Sequence, residues 1–288
     1  MIPNAFEYHA PKTLDDAIRL LGEYPDEAKL LAGGHSLLPM MKLRFAEPTH
    51  LVDINGIEGL RGVRLEGDTI VIGAMTTENQ LITSDLLHQH CPLLPEAARN
   101  ISDPQVRNRG TIGGDIAHGD PANDHPALML ACGAEFTLNG ADGSRTVAAA
   151  DFFLGTYWTA LEEGEILTEI RIPAFQSGTG SAYCKLKRKQ GDWATAASAV
   201  VLRMQGDSCV EARIGLTNVV PNALHATDAA AQLVGSSVDE AAIERAAKAA
   251  MAICDPAEDL RGDVEYKTHM AGEMTRRAIR LARERAVS

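Results

Sequence analysis

Two short runs of adjacent glycines constrain this chain more than anything else in it. Ala32-Gly33-Gly34-His35-Ser36-Leu37 and Gly110-Thr111-Ile112-Gly113-Gly114-Asp115 each set a glycine pair beside a hydroxyl residue. Adjacent glycines reach backbone angles closed to other residues and let main-chain N–H groups curve around an anion. Ser36 and Thr111 can add hydroxyl donors. A predicted helix over Leu37 to Arg44 would bring its N-terminal partial positive charge to the first loop. One glycine pair alone reads as an ordinary tight turn. Two similar loops read as halves of one site, and a pyrophosphate is the group that suits two such nests.

The other nucleotide signatures are missing: there is no G-x-x-x-x-G-K-[ST], and no G-x-G-x-x-G that follows a strand and opens a helix. A net charge of -12 removes the electrostatic attraction on which nucleic-acid binding depends. It does not exclude a bound phosphate, because main-chain N–H groups hold one without lysine or arginine. The five cysteines, Cys91, Cys132, Cys184, Cys209 and Cys254, are widely spread with no C-x-x-C. An iron-sulfur cluster or structural zinc in this chain alone is therefore not expected, and the cysteines read as buried thiols. No stretch of about 18 apolar residues and no basic-then-apolar leader occurs, so a cytoplasmic chain without a transmembrane segment is expected.

With 288 residues, 45% of them hydrophobic, several small lobes are expected. Thr13 caps a predicted helix over Leu14 to Leu21. Strands at Lys29 to Leu31 and His50 to Ile54 flank the first loop in a βαβ-like unit. From Leu60 the pattern turns to hairpins, Val63 to Leu65 with Ile70 to Ile72 and Glu135 to Leu138 with Arg145 to Val147, joined by a strand at Glu165 to Ile172. The glycine-rich passage from Arg109 to Asp124 is read as a large functional loop without regular structure. Phe175 to Gly180 has linker composition. Three strands follow, near Ala182 to Lys189, Ala196 to Met204 and Cys209 to Leu216. Two helices then close the chain, over Val238 to Ile253, capped by Ser236 or Ser237, and over Glu265 to Ala286. The expected division is 1–55, 56–177 and 178–288. Asp124, just before the helix candidate Pro126 to Cys132, can accept a hydrogen bond from a ligand hydroxyl or cap that helix.

The pairing of Ala32-Gly33-Gly34-His35-Ser36-Leu37-Leu38-Pro39 with Gly110-Thr111-Ile112-Gly113-Gly114-Asp115 resembles the FAD-binding subunit of the xanthine dehydrogenase, or molybdenum hydroxylase, family over essentially the full chain. His35-Ser36 and the segment Tyr183 to Ala194 are most similar to the branch that oxidises carbon monoxide. The resemblance implies an α+β, vanillyl-alcohol-oxidase-type FAD-binding fold of two N-terminal lobes and a C-terminal α/β lobe with a three-stranded antiparallel sheet. It implies that Ala32 to Leu37 and Thr111, Ile112, Gly113, Gly114 and Asp115 contact the FAD diphosphate, and Asp124 the ribityl or ribose part. Ile101 and Trp193 would neighbour the isoalloxazine, with Lys185 or Lys187 as a cationic contact; the alternative for Trp193 is core packing.

The same resemblance places the molybdenum cofactor and two [2Fe-2S] clusters on partner subunits, a large molybdenum subunit and a small iron-sulfur subunit, in a dimer of heterotrimers. This chain would then take electrons singly from iron-sulfur and pass them to a quinone or similar acceptor, at the inner face of the membrane. No residue need act as a catalytic base. His35, His118 and Asp120 are acid-base residues by type, but a lone histidine is more often a structural hydrogen-bonding residue. Alternatives are the flavin subunit of a hydroxylase for N-heterocycles or acyl-CoA substrates, an independent flavin oxidase, and a noncatalytic nucleotide-binding scaffold.

Overall fold

The computed structural model describes residues 2–288. The chain begins with a small parallel sheet of strands Glu7–His9, Ala28–Leu31 and His50–Asp53, the last lying between the other two. Parallel neighbours need crossovers, and helices Leu14–Glu23 and Leu37–Leu43 supply them. The Thr13 hydroxyl accepts from the Asp16 N–H to start the first helix, which buries Ala17 and Leu20 against Val52 and Ile54.

The middle of the chain builds a five-stranded antiparallel sheet, in the order Val63–Glu66, Thr69–Gly73, Ile166–Pro173, Glu135–Gly140, Gly143–Ala148. Its inner face, with Ile70, Ile72, Phe136 and Leu138 all fully buried, packs on helices Leu93–Ala98, Ile112–His118 and His125–Cys132. Helix Ile112–His118 lies inside the glycine-rich passage that was expected to be irregular. Thr111 caps it through the Gly114 N–H, and Ile112 and Ile116, one turn apart, anchor it in the core. The two glycines inside it are there for closeness: a Cβ on Gly113 would collide with Ala74 and one on Gly114 with the Thr111 hydroxyl.

The C-terminal sheet has strands Thr179–Leu186, Ala196–Gln205 and Ser208–Thr217, and a fourth strand of two residues, Leu224–His225, where three were expected. The first of these begins inside the segment of linker composition. Helices Glu240–Ala252 and Val264–Val287 cover one face. Asp239, not Ser236 or Ser237, caps the former by accepting from the Ala242 N–H, because Ser236 is spent on Leu233 and Val238. The other face carries Tyr183, Ala197, Ala199 and Val201 into the same core as the middle sheet, so the two sheets share one interior.

Gly180 sits where the long C-terminal helix crosses its strand, and a Cβ there would run into Ala282 and Ala286 of that helix. Gly180→Val is expected to lower stability by about 2–3 kcal/mol through overpacking, read as a reduced denaturant midpoint with an unchanged slope.

Candidate functional site

The two glycine loops meet. A Cβ on Gly33 would fall on the Arg109 carbonyl oxygen and 2.8 Å from Gly110 Cα, and one on Gly114 would lie 3.4 Å from Ala32 Cβ. Backbone therefore rests on backbone where the parallel sheet joins the middle sheet, a contact no side chain could share. Gly34 adds a φ of 78°, the left-handed turn that swings the chain from its strand into helix Leu37–Leu43.

Beside this junction runs one cleft of about 680 Å³. Of the residues expected to hold the cofactor, all but Ile112 and Lys187 line it. Ile112 is fully buried in the core, and its N–H donates to Thr76 O. Lys187 turns aside to donate to Asn100 O at 3.2 Å, and burial, then the neighbouring Lys185 charge, lower its pKa.

The loops are not equivalent nests, as the sequence suggested. Among the described residues, the N–H groups of Gly33, Gly34, His35 and Ser36 meet no protein acceptor, and Ser36 makes no side-chain cap. In the second loop every corresponding donor is engaged: Ile112 with Thr76 O, Gly113 with Ala74 O, Gly114 with the Thr111 hydroxyl, Asp115 with Thr111 O. Thr111 takes up the Gly114 and Asp115 N–H groups at the helix start, and the neighbouring strand end takes up those of Ile112 and Gly113. The first loop thus offers free main-chain donors, and the second offers the Thr111 hydroxyl proton and the Asp115 side chain.

Asp115 is the unusual member. Its Oδ2 is buried with no hydrogen-bond partner. Burial pushes its pKa up to about 7; the His125 charge opposes the shift, and the carboxylates of Glu78, Asp124 and Asp120 add to it. Near neutral pH it can therefore present a proton to an anion. Behind it, the fully buried His125 pairs with Glu78 at 2.9 Å. Burial alone would lower His125, but the Glu78 carboxylate overrides it and holds the imidazole at about 9.

Asp124 occupies the N-cap position of helix His125–Cys132 yet makes no side-chain cap. Its carboxylate instead accepts from the Tyr183 hydroxyl and from Lys185 Nζ, the latter at 2.8 Å, all in a nearly closed setting. Burial, then the Asp124 charge, raises the Tyr183 pKa far enough to keep it a donor. Tyr183 escaped the sequence reading although its signal was present: it lies two residues from Lys185 on one strand and so shares its face. At the other end, Ile101 and Trp193 line the cleft from neighbouring loops. Arg107 holds the Ile101 carbonyl at 2.9 Å. Asp192, fixed by Arg188 and Arg261, accepts from the Trp193 N–H. Trp193 is 53% exposed under the Arg261 guanidinium, so it is a rim residue and not a packed core side chain.

His35 lines the cleft, and no shaped acid-base pair includes it. His118 packs tilted against Tyr157, and burial, against the pull of Asp120, lowers its pKa. Asp120 accepts from the Ala122 N–H and from Tyr157. These are positioning contacts.

The adjoining backbone nest, a hydroxyl, a protonatable carboxyl and an anchored carboxylate suit a long ligand with an anionic middle and hydroxylated arms. Residues 4–175 match the FAD binding domain in molybdopterin dehydrogenase, and residues 181–282 the CO dehydrogenase flavoprotein C-terminal domain. The chain belongs to this family of FAD-binding molybdopterin dehydrogenase subunits. It is 62% identical to the carbon monoxide dehydrogenase medium chain of Hydrogenophaga pseudoflava, over 98% of each chain. It is 54% identical to the same-named chain of Afipia carboxidovorans, over 99% of each. A solved carbon monoxide dehydrogenase from Hydrogenophaga pseudoflava superposes with a TM-score of 0.98, covering 99% of each chain at 63% identity. The quinoline 2-oxidoreductase of Pseudomonas putida 86 follows at 0.95, with 35% identity and all of both chains covered.

The buried pair should govern stability with pH. His125 titrates higher in the folded chain than its ordinary 6.5, so its contribution is complete below pH 6.5 and is lost as pH rises through about 9. The urea midpoint of the flavin-free chain should fall across that window, and His125→Gln should flatten the fall while lowering stability by about 3 kcal/mol or more.

Proposed function

We propose that this chain is the FAD-carrying electron-transfer subunit of an aerobic carbon monoxide dehydrogenase. The observation that carries the reading is the single cleft shared by both glycine loops, with Asp124 and Lys185 beyond them and Trp193 at its rim. The carbon monoxide assignment is supported by near-full-length identity to medium chains of that enzyme.

In this reading the free N–H groups of Gly33 to Ser36 hold the diphosphate, with the Thr111 hydroxyl and Asp115 closing on it from the opposite loop. Asp124, oriented by Tyr183 and Lys185, accepts from a sugar or ribityl hydroxyl, and Ile101 and Trp193 flank the ring end. Bound FAD supplies the redox chemistry, accepting electrons and releasing them to an acceptor. The chain's own work is to hold it and set its surroundings. Oxidation of carbon monoxide, CO + H2O to CO2 with two protons and two electrons, belongs on a large molybdenum subunit. A small subunit with [2Fe-2S] clusters relays the electrons in a dimer of heterotrimers, and a quinone is the final acceptor. Among the described residues no helix is long and apolar enough to cross a membrane, so contact with a membrane quinone pool would be peripheral. The lobe boundaries near residues 55 and 177 belong to the same proposal.

Two experiments check this. Carbon monoxide added without oxygen to the complex purified with its native partners should bleach the flavin absorption, and should leave the FAD-loaded chain alone unchanged. Bleaching by an N-heterocycle and not by carbon monoxide would move the assignment to another hydroxylase. In dialysis against FAD, affinity should fall about tenfold between pH 6 and pH 8 as Asp115 loses its proton, and Asp115→Asn should bind with little pH dependence.

A further inference from the structure

On the N-terminal parallel sheet, away from the cleft lining, Glu7 and His50 are register partners on adjacent strands, and His9 lies two residues beyond Glu7. Side chains two apart on a strand share a face, so all three project from the same side. His9 Nε2 lies 3.0 Å from His50 Nδ1, and Glu7 Oε2 lies 3.8 Å from that same His50 nitrogen. One ligand atom from each residue falls within 4.8 Å of the other two.

The rings are held in place. Tyr24, at the end of helix Leu14–Glu23, stacks on His50 with centroids 3.6 Å apart and planes 10° from parallel, and His9 stacks on both. The His50 side chain is 12% exposed and that of Glu7 74%, so the cluster has a fixed floor and an open mouth.

We infer that Glu7, His9 and His50 form a binding site for a divalent transition-metal ion, of the zinc class, that ties the first strand of the chain to the central strand of its sheet. Two imidazole nitrogens facing each other can share only one proton between them, whereas a cation accepts a lone pair from each. Ligand atoms about 2.0–2.1 Å from a tetrahedral ion stand roughly 3.3 Å apart, a span bracketed by the two distances here. Small movements of the exposed Glu7 carboxylate complete the third ligand, and water takes the open fourth position. Two imidazoles and a carboxylate with no thiolate suit zinc, nickel or copper(II) over calcium or magnesium. None of the three residues belongs to the proposed FAD site, so this assignment stands apart from that reading.

The test is calorimetric titration of the full chain with Zn2+, paired with zinc K-edge absorption at one equivalent. The expected results are one site per chain, a shell of nitrogen and oxygen without sulfur, and a rise in Tm of about 2 °C or more at saturation. His9→Gln and His50→Gln should each weaken binding by about tenfold or more and abolish the rise in Tm, with Glu7→Gln weaker in effect. The variants' far-ultraviolet circular dichroism would show whether they fold. Should either fail to fold, the wild-type absorption spectrum decides alone. A shell containing sulfur, or Zn2+ affinity unchanged in the His9→Gln/His50→Gln double variant, would overturn the site.

Discussion

The contact on which the rest of this structure depends is the rest of Gly33 against the backbone of Arg109 and Gly110. The turn that leaves the parallel sheet and the backbone that leads into helix Ile112–His118 are brought to main-chain distance there, and no residue with a Cβ could stand at position 33. The geometry that closes this joint also leaves four consecutive N–H groups, Gly33 to Ser36, without acceptors. Free main-chain donors held together at a cleft can converge on an anion, and the proposed diphosphate would use them. In the proposed reading, phosphate recognition and fold assembly are one feature.

Around the joint the chain places charge where desolvation makes it strong. Asp124 comes from the middle of the chain, and Tyr183 and Lys185 from the first strand of the C-terminal sheet, so their buried cluster locks those parts across the cleft as it aims the carboxylate. Glu78 and His125, both from the middle of the chain, form a second buried pair beside it. Removing one partner from such a pair costs far more than replacing both, which makes these groups positioning elements for the cleft as well as supports of the fold. Asp115, between the two clusters, lines the cleft with its Oδ2 buried and without a hydrogen-bond partner.

Much of this was legible in the sequence because it is local. Glycine pairs next to hydroxyls, the hairpin strands over residues 63–72 and 135–147, the Thr13 cap and the two closing helices all rest on short-range signals, and these strands and helices are present. What escaped was non-local or concealed. Helix Ile112–His118 was hidden because its glycines look like breakers, when they are there to clear Ala74 and Thr111; the apolar pair Ile112 and Ile116 was the signal to weigh against them. The Asp124–Tyr183 contact joins residues far apart in sequence, and within its own segment Tyr183 is marked only by sharing a strand face with Lys185. The different donor content of the two loops is likewise a property of capping and sheet contacts, and sequence motifs alone make the loops look alike.

The Gly33 to Ser36 main chain, faced by Thr111 and Asp115, is the proposed seat of the FAD diphosphate. A crystal structure of the FAD-loaded chain in its native complex tests it most directly. The account predicts diphosphate oxygens within about 3 Å of those N–H groups and of the Thr111 hydroxyl. Diphosphate bound elsewhere, with the four N–H groups left to water, would contradict it.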